Sequence, residues 1–421
     1  MNKYLLLFCA LAWAGTSWSQ QSTVSPYSFF GFGQQQRVST AENEAMGGIT
    51  LYGDSIHGAL NNPASLGKLK LTVYSLGLSR TQSDLASDLG SQSGSSTRLS
   101  YLGIAFPITP KASFGFGVVP YAAMDYNLFS ESEDSEGVTS KNLFQGTGDW
   151  SRMYFSGGWN LNKYLSVGAS MNAHFGYVEK QRIQSLDALI LGTFERKFSR
   201  IRGIGWTLAA NAELPLSSSL TLFGTAQLQT EASLTSENTL ELGSIVMSSN
   251  QKVEVEEVDL SGSGMVETDL VLPTVTRLGI GLGKDMSWLL SAEYEMQDMG
   301  ALQSEFLTQS QVQYTQASTW RIGGYWVPSF DTFAKYRQRV TYRFGGYLTE
   351  TGMIVQNQPI EESGITFGVG LPLSGTFSNL NLNVGAGKRG TTQGGLIEEQ
   401  FVKFSLGLSL NDRWFVKRKI N

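Results

Sequence analysis

The sequence predicts an all-β protein: a transmembrane antiparallel β-barrel of about 14 strands, with an N-terminal segment plugging the lumen. Two patterns predict it. From residue 69 onward, apolar residues alternate with small or polar ones over long stretches, and the connections between these stretches are alternately short and long. The composition agrees, since only 16% of the 421 residues are charged, with 47 Gly and 23 Phe. A soluble chain of this length usually divides into several domains.

Residues 1–19 are predicted to be a secretory signal peptide. Lys3 supplies the positive start, residues 5–14 the short apolar core, and residues 17–19 a small-x-small cleavage motif. A membrane anchor is the alternative, but a spanning helix needs about 20 apolar residues. Cys9 is the only cysteine, so cleavage removes any disulfide or thiolate metal site. The net charge of −5 argues against a nucleic-acid partner.

Residues 20–68 are assigned to the plug, and its centre is residues 45–71. This stretch is rich in Gly, Ala, Ser and Asn. It cannot bury enough apolar surface to offset an ordering cost of about 1–2 kcal/mol per residue. A barrel of about 14 strands is too wide to be filled by its own side chains. We therefore expect this segment to fill the lumen, with Asn61, Asn62 and Ser65 hydrogen-bonded to inward charges.

Residues 69–421 are assigned to the barrel wall. The clearest strand is 165–177, where the odd positions are apolar and the even positions are Ser, Gly, Asn and His. Successive side chains of a strand point to opposite faces, so this strand has one face suited to lipid and one to the lumen. The same pattern predicts strands at 69–80, 97–108, 112–128, 149–161, 201–216, 220–234, 270–284, 287–299, 318–327, 340–354, 364–373, 380–389 and 401–411.

The connections fall into two classes. Short turns lie at 109–111, 162–163, 217–219, 285–286 and 374–376, and long polar loops are expected at 81–96, 129–148, 180–200, 235–269 and 300–317. Short periplasmic turns alternating with long outer loops are typical of outer-membrane barrels. An even number of strands then places both chain ends in the periplasm. A soluble propeller or sandwich is the alternative, but its strands would have about 5–6 residues.

We expect no catalytic residues, metal site or cofactor. His57 lies near Asp54 and Ser65 in sequence, but spacing alone is no evidence for a triad. His174 falls on the polar, inward face of its strand, whereas outer-membrane phospholipases carry their catalytic side chains on the lipid face. The acidic runs at 131–136 and 254–259 are expected to be solvated loops, with a calcium or lipopolysaccharide-bridging site as the alternative.

Charged residues on the predicted strands are expected to face the lumen, because Arg or Lys on the lipid face costs about 2–4 kcal/mol at mid-depth. Three arginines, Arg277, Arg321 and Arg343, belong to this set. One expected role is ion pairing among the inward charged residues, or hydrogen bonding to the plug. The other is contact with a ligand carboxylate.

Three features together resemble the FadL/OmpP1/TodX family of outer-membrane channels for hydrophobic compounds. They are a Gly-rich N-terminal segment ending at residues 61–66 (NNPASL), the number of predicted strands, and the turn at 161–168 (LNKYLSVG). The residues at 25–31 and 411–415 resemble the Bacteroidota-type branch of that family. The resemblance covers essentially the whole chain after the signal peptide.

The resemblance implies that the plug is a hatch, with Asn61, Asn62, Pro63, Ala64 and Ser65 at its gate. It also implies ligands such as long-chain fatty acids or aromatic hydrocarbons, no cofactor, and lateral release near a kink in the third strand. Here that strand contains Pro120, and proline gives no N–H to a ladder. A harmless bulge is the alternative reading, and Pro273 gives the same signal in the eighth strand.

Two functions follow from these expectations. The first is a passive outer-membrane channel whose partners are a hydrophobic ligand and outer-membrane lipid. The second is a closed FadL-like barrel acting as a structural or accessory subunit of an outer-membrane assembly or secretion complex. Its protein partners would contact the loops at 235–269 and 329–339.

Overall fold

The computed structural model describes residues 25–88, 90–133, 137–187, 189–302, 304–307, 312–329, 331, 333–373 and 377–414. The predicted signal peptide and the predicted turn at 374–376 lie outside these ranges. Within them, the chain forms a closed barrel of 14 antiparallel strands around residues 25–71, which we call the plug. None of the described helices is long and apolar enough to span a membrane.

The wall strands follow one another around the barrel in sequence order. They are β1 (Thr72–Ser87), β2 (Gly90–Thr109), β3 (Ala112–Glu133), β4 (Thr139–Asn160), β5 (Leu165–Leu186), β6 (Leu191–Ser217), β7 (Leu220–Gln229), β8 (Val275–Lys284), β9 (Trp288–Asp298), β10 (Gln316–Trp326), β11 (Thr341–Val355), β12 (Gln358–Pro372), β13 (Asn379–Arg389) and β14 (Glu398–Asp412). The barrel closes where β14 pairs with β1. Each strand corresponds to one predicted strand, so the predicted fold class is confirmed.

The other elements are short. The plug contains a strand at Gln34–Gln35, helix α1 (Ala41–Glu44) and 3₁₀ turns at Pro26–Phe29 and Pro63–Lys68. Helix α2 (Tyr336–Arg339) lies between β10 and β11. Outside the wall there are strands at Ala232–Val246, Gln251–Glu257, Glu267–Leu272 and Val312–Tyr314, and 3₁₀ turns at Ser261–Ser263, Met299–Ala301 and Gln393–Gly395.

The two ends of the barrel differ. At the end where β1 begins and β14 ends, which we call the turn end, β2 and β3 are joined by only two residues, Pro110 and Lys111. At the opposite end, the loop end, the predicted loops at 81–96, 129–148 and 180–200 prove to be mostly strand. β4 and β5 have 22 residues each and β6 has 27, whereas β8 has 10. Pairing between strands satisfies the backbone hydrogen-bonding groups whether the side chains are apolar or polar. Hairpins with polar side chains can therefore continue the wall beyond its apolar band.

The predicted loop at 235–269 is also largely folded. The loop-end half of β6 pairs with the strand Ala232–Val246, which in turn pairs with Gln251–Glu257 and Glu267–Leu272. We call these three strands the outer sheet. The connection between β7 and β8 is therefore a folded sheet that extends one side of the barrel, and not the loop that the sequence predicted.

The outward face of the wall is apolar. Large side chains such as Trp206, Ile280, Trp320, Leu348 and Ile365 are each at least half exposed. Polar residues of the wall strands are buried in the interior, including Asn211, Gln227 and Glu293. This apolar-out, polar-in alternation is the pattern of a lipid-facing barrel wall.

The wall is split between β2 and β3. Their ladder runs from Thr109–Ala112 at the turn end only as far as Leu102–Val118. By contrast, β1 pairs with β2 up to Ser87–Gly90, and β3 pairs with β4 up to Glu133–Thr139. In the described chain, the loop-end halves of β2 and β3 are therefore not paired with each other. The plug strand Gln34–Gln35 pairs with this edge of β3 instead.

The plug runs the length of the lumen. Ser25 donates a hydrogen bond to Glu399 (2.8 Å), which pairs with Leu85 near the loop end. The plug then passes to the turn end, where Thr72 begins β1. The described chain thus begins and ends at opposite ends of the barrel, because Asp412 lies beside Thr72. The prediction that both chain ends lie in the periplasm concerns residues outside the described ranges and stays a prediction.

Candidate functional site

The middle of the plug is held by two wall carboxylates. Glu293, 1% exposed, accepts hydrogen bonds from the backbone N–H groups of Thr50 (2.8 Å) and Leu51 (2.6 Å). Its neighbour Glu295 accepts from Arg277 Nε (2.8 Å) and Arg321 Nη2 (3.0 Å). Arg277 also donates to the Thr50 hydroxyl at 3.3 Å. Two of the three arginines singled out in the sequence are therefore engaged with Glu295 beside the plug.

The third arginine is linked to the plug through an asparagine. Arg343 donates to Asn381 Oδ1 (3.0 Å), and Asn381 donates to Glu42 Oε1 of α1 (2.6 Å). Ser409 donates to the same Glu42 oxygen at 2.9 Å. Although burial opposes ionisation, His57 and Arg343 together lower the pKa of Glu42. The cluster ties α1 to strands β11, β13 and β14.

The predicted gate residues lie in the turn-end half of the plug. Asn62 donates to the Thr50 carbonyl (3.0 Å) and to Asn211 Oδ1 (3.0 Å). Asn211 donates in turn to Ser65 Oγ at 3.0 Å. Asn61 donates to the Val38 carbonyl. Each polar gate side chain thus bonds to the wall or to another part of the plug.

Pro63 and Ala64 contact the wall through its glycines. Pro63 begins the 3₁₀ turn and Ala64 is fully buried. A β-carbon added at Gly158 or Gly168 would overlap the backbone of Pro63. The plug backbone therefore approaches β4 and β5 more closely than any other residue in those positions would permit.

A second close approach involves Met46 and Gly47 of the plug. A β-carbon at Gly323 or Gly345 of the neighbouring strands β10 and β11 would overlap them. These wall glycines were not among the site residues predicted from the sequence. The sequence feature that could have identified them is glycine at inward positions of two adjacent predicted strands.

His57 joins two carboxylates within the plug. Its Nδ1 lies 2.6 Å from Asp54 Oδ2, and its Nε2 lies 3.6 Å from Glu42 Oε1. Burial works against protonation, but Asp54 and Glu42 raise the pKa of His57 above its usual value. Ser65 takes its hydrogen bond from Asn211 and not from His57. The protonated imidazole bridges two parts of the plug.

A cavity of about 300 Å³ lies between the plug and the wall in the loop-end half of the lumen. Its apolar lining includes Phe32, Leu60, Tyr121, Trp150 and Leu272. The polar lining is dominated by long side chains, among them Gln35, Gln227, Gln229, Arg152, Arg277 and Arg321. The cavity is thus of mixed character and large enough for a small organic molecule.

Pro120 lies at an irregularity in the pairing of β3. The register against β4 shifts between Pro120 and Ala122, which leaves Tyr121 as an extra residue. Tyr121 and Ala122 are buried and line the cavity. The β2–β3 ladder ends two residues earlier, at Val118. Pro120 is therefore at a bulge beside the split in the wall and next to the cavity.

Pro273 occupies a different position. The predicted strand at 270–284 is interrupted there: the outer sheet ends at Leu272 and β8 begins at Val275. Proline cannot donate to a central ladder, so the chain changes partners at this residue. Pro273 separates the barrel wall from the outer sheet.

Sequence reasoning missed Arg152. This β4 residue is 7% exposed and lines the cavity. Its Nη2 donates to Asn61 Oδ1 at 2.9 Å, while its Nε has no partner among the described residues. The available signal was a charged residue at an inward position of a predicted strand, the same criterion that selected the other three arginines.

Comparison with known proteins agrees with this architecture. The BamG family model matches residues 1–421, and no curated protein matches the sequence. A FadL homologue from Pseudomonas aeruginosa has a TM-score of 0.60 at 12% identity, over 90% of this chain and 99% of its own. The CymD monoaromatic hydrocarbon channel has a TM-score of 0.57 at 12% identity, over 90% of this chain and 99% of its own. The toluene transporter TbuX of Ralstonia pickettii has a TM-score of 0.54 at 16% identity, over 91% of this chain and 99% of its own. The FadL-like fold expected from the resemblance is confirmed.

Proposed function

The chain belongs to the BamG family, and from its FadL-like barrel and the cavity in its lumen we propose that it is an outer-membrane channel for hydrophobic small molecules. The observation that carries the proposal is the position of the cavity beside the split between β2 and β3. Tyr121 and Ala122 belong to both features. The plug strand pairs with Ala122 and Ala123 at this split and also lines the cavity.

The proposed route begins at the loop end, which we assign to the cell exterior because the short turns of outer-membrane barrels face the periplasm. The ligand binds in the cavity, the plug strand leaves Ala122 and Ala123, and the ligand exits sideways between β2 and β3. Leu102 and Phe116 mark the lipid-facing side of this exit, being 50% and 39% exposed. Release into the bilayer is driven by transfer of apolar surface out of water.

Asn61, Asn62, Pro63, Ala64 and Ser65 are proposed to hold the plug in its closed position. Their contacts lie at Asn211 and at the wall glycines Gly158 and Gly168. A shift of the plug strand pulls on this region through the bond from Asn61 to Val38. Uptake is passive in this mechanism, since the ligand's own partitioning supplies the free energy.

A disulfide between the plug strand and β3 tests the route. Gln35 and Ala122 are directly opposed in the ladder, and opposed antiparallel residues have Cα separations that a disulfide accommodates. We expect Gln35→Cys/Ala122→Cys to block uptake of toluene and decanoate by intact cells under oxidising conditions. Reduction should restore uptake.

The matched control is Ser363→Cys/Lys388→Cys, a pair opposed between β12 and β13. This pair cross-links two strands that are already joined, so its oxidation should leave uptake unchanged. Parental uptake by the fully oxidised Gln35–Ala122 variant would contradict the proposed route.

A second function, an accessory subunit of an outer-membrane assembly, is favoured by the outer extension. β4, β5 and β6 are about twice as long as the 9–11 residues needed to cross a bilayer. At their tip Leu189, Ile190 and Leu191 are 56%, 78% and 48% exposed. Apolar side chains raised above the membrane are suited to contact with another protein.

Native mass spectrometry of the gently solubilised protein distinguishes the two functions. A stoichiometric complex that is lost in Ile190→Asp and retained in Thr193→Asp supports the subunit role. Thr193 lies on the same hairpin but is a small polar residue. Purification of the parental protein without a stoichiometric partner would count against this second function.

A further inference from the structure

The connection between β10 and β11 is the longest at the turn end. It comprises residues 327–340, whereas β6 and β7 are joined by only Ser218 and Ser219. Residues 333–339 of this connection, FAKYRQR, contain two aromatic and three basic side chains and no acidic one. We call these residues the basic turn. The proposed channel route does not use them, so their composition calls for a separate explanation.

The basic turn lies beside the aromatic residues at the turn end of the wall. The Tyr342 hydroxyl donates to the Arg337 carbonyl oxygen at 3.2 Å, and the ring centroids of Tyr342 and Trp326 are 5.9 Å apart. Trp326 is opposed to Trp288, and all three rings are more than a third exposed. Aromatic rings at the end of a barrel wall mark the level of the lipid headgroups. The basic turn is therefore at the membrane surface.

The aromatic side chains of the basic turn are open to their surroundings. Phe333 is 96% exposed and Tyr336 is about half exposed. Transfer of a phenylalanine ring from water to an apolar phase is favourable. Because the turn lies at headgroup level, the nearest apolar phase is the boundary between the headgroups and the acyl chains. Interfacial membrane segments bury their aromatic residues in this zone.

The three cations of the basic turn lack counter-ions. Among the described residues, ion pairs engage cations such as Lys68 and Lys403 but none of Lys335, Arg337 and Arg339. The buried Arg339 Nε also has no hydrogen-bond partner there. Unpaired cations at a membrane surface attract anionic lipid headgroups. The turn thus combines a ring suited to the acyl boundary with charges suited to lipid phosphates.

We propose that the basic turn is a binding site for anionic phospholipids at the turn end of the barrel. Phe333 enters the boundary between headgroups and acyl chains, and Lys335, Arg337 and Arg339 donate to lipid phosphate oxygens. The hydrogen bond from Tyr342 holds the turn close to the lipid-facing wall, which favours lipid over a periplasmic protein as the occupant. This inference goes beyond the proposed function and does not depend on what binds in the lumen.

The test identifies the lipids that stay bound to the purified protein in native mass spectrometry. The protein is placed in micelles that contain equal amounts of phosphatidylglycerol and phosphatidylcholine, which share acyl chains and differ in headgroup charge. We expect phosphatidylglycerol to be enriched roughly fivefold or more, the effect of one basic residue at an anionic surface. In Lys335→Gln/Arg337→Gln/Arg339→Gln the ratio of the two lipids should fall to about one.

The matched control is Arg182→Gln/Arg200→Gln/Lys252→Gln, which removes the same charge from exposed positions at the loop end. It should keep the parental lipid ratio. Circular dichroism establishes that each variant retains its strands. Equal binding of the two lipids by the parental protein overturns the inference. So does a ratio that is unchanged in the variant of the basic turn, or one that falls equally in the control.

Photo-cross-linking in intact cells distinguishes lipid from protein as the occupant. Phe333 is replaced by p-benzoylphenylalanine, the cells are irradiated, and the mass of the adduct is measured. We expect adducts with phospholipid. Adducts with a protein alone would overturn lipid binding and assign the turn to protein docking. Uptake of toluene by the variant of the basic turn should remain parental, so failure of this inference leaves the proposed channel function standing.

Discussion

Gly168 shows how a single residue determines the position of the plug. Pro63 occupies the space where a β-carbon of residue 168 would be. Two wall strands contribute such positions at the gate, Gly158 on β4 and Gly168 on β5. The plug is thus held by shape as well as by hydrogen bonds, and a change of one methyl group in the wall is enough to displace it.

We therefore expect Gly168→Val to displace the plug and increase the permeability of the outer membrane to small hydrophilic antibiotics. The added side chain overlaps backbone atoms, which cannot move aside as a flexible side chain would. Susceptibility of cells expressing the variant measures the effect. Gly157→Val is the control, because a β-carbon at Gly157 meets nothing within 4 Å. Equal susceptibility of the two variants would show that this contact does not position the plug.

His57 predicts a pH dependence of plug stability. Its pKa is raised in the folded protein by Asp54 and Glu42 against the opposing effect of burial. Because the pKa is raised, the bridge makes its full contribution to stability at pH values below the ordinary histidine pKa of about 6.5. The contribution is lost as the pH rises through the folded-state pKa. The midpoint of thermal unfolding of the parental protein should therefore fall as the pH rises above about 6.5.

In His57→Asn this part of the pH dependence should be absent, because asparagine does not titrate. The pKa of Asp54 is lowered, although burial acts to raise it. The stability that Asp54 contributes is therefore lost only at acidic pH, below this window. Parallel pH profiles for the parental protein and the variant would exclude His57 as the source of the effect.

At the scale of elements, the sequence predicts the wall strands but not their full lengths. Residues 165–177 alternate because one face meets lipid and the other the lumen. Residues 178–186 continue the same strand, β5, in a polar environment that imposes no alternation. Backbone pairing does not require any particular side-chain pattern, so the outer hairpins and the outer sheet were predicted as loops. The same reasoning explains why the pairing of Gln34 and Gln35 with β3 was not foreseen.

The outer hairpins should be dispensable for folding of the barrel. Replacing residues 130–142 with Asn-Gly joins Phe129 to Leu143, which are opposed in the β3–β4 ladder, through a favoured two-residue turn. We expect the melting temperature to change by only a few degrees, about the shift produced by 1 kcal/mol. Circular dichroism melting of the detergent-solubilised protein measures it. A variant that fails to form a barrel would show that the extension contributes to assembly.

At the scale of the whole molecule, the lumen of the barrel contains the chain's own N-terminal segment. Its attachments are spread along the lumen, from Ser25 at Glu399 through Thr50 at Glu293 to Ser65 at Asn211. The need for a plug was predictable from the width of the barrel. Its path was not, because it depends on which inward groups meet, and sequence spacing carries no information about contacts between residues hundreds of positions apart.

Simultaneous Asn61→Ala and Asn62→Ala substitution tests the plug as a barrier. Loss of the bonds to Arg152, Thr50 and Asn211 should loosen the turn-end half and raise leakage of small antibiotics in cells. Susceptibility is compared with a Ser217→Ala/Ser219→Ala variant, whose side chains lie in an exposed turn. Unchanged susceptibility in well-expressed Asn61→Ala/Asn62→Ala cells would count against a sealing role for these asparagines.

The plug also contacts the wall on both sides of the closing seam, at β2 and at β14. The Ala41 N–H donates to the Tyr101 hydroxyl of β2, next to β1, and Ser409 of β14 donates to Glu42. Closure pairs Thr72 with Asp412, and such distant pairing is slow because a long loop must be ordered first. A segment synthesised before every wall strand, and bonded to both sides of the seam, shortens that search. We therefore expect the plug to act as a folding template, with the plug ordered first, the wall formed around it, and the seam closed last.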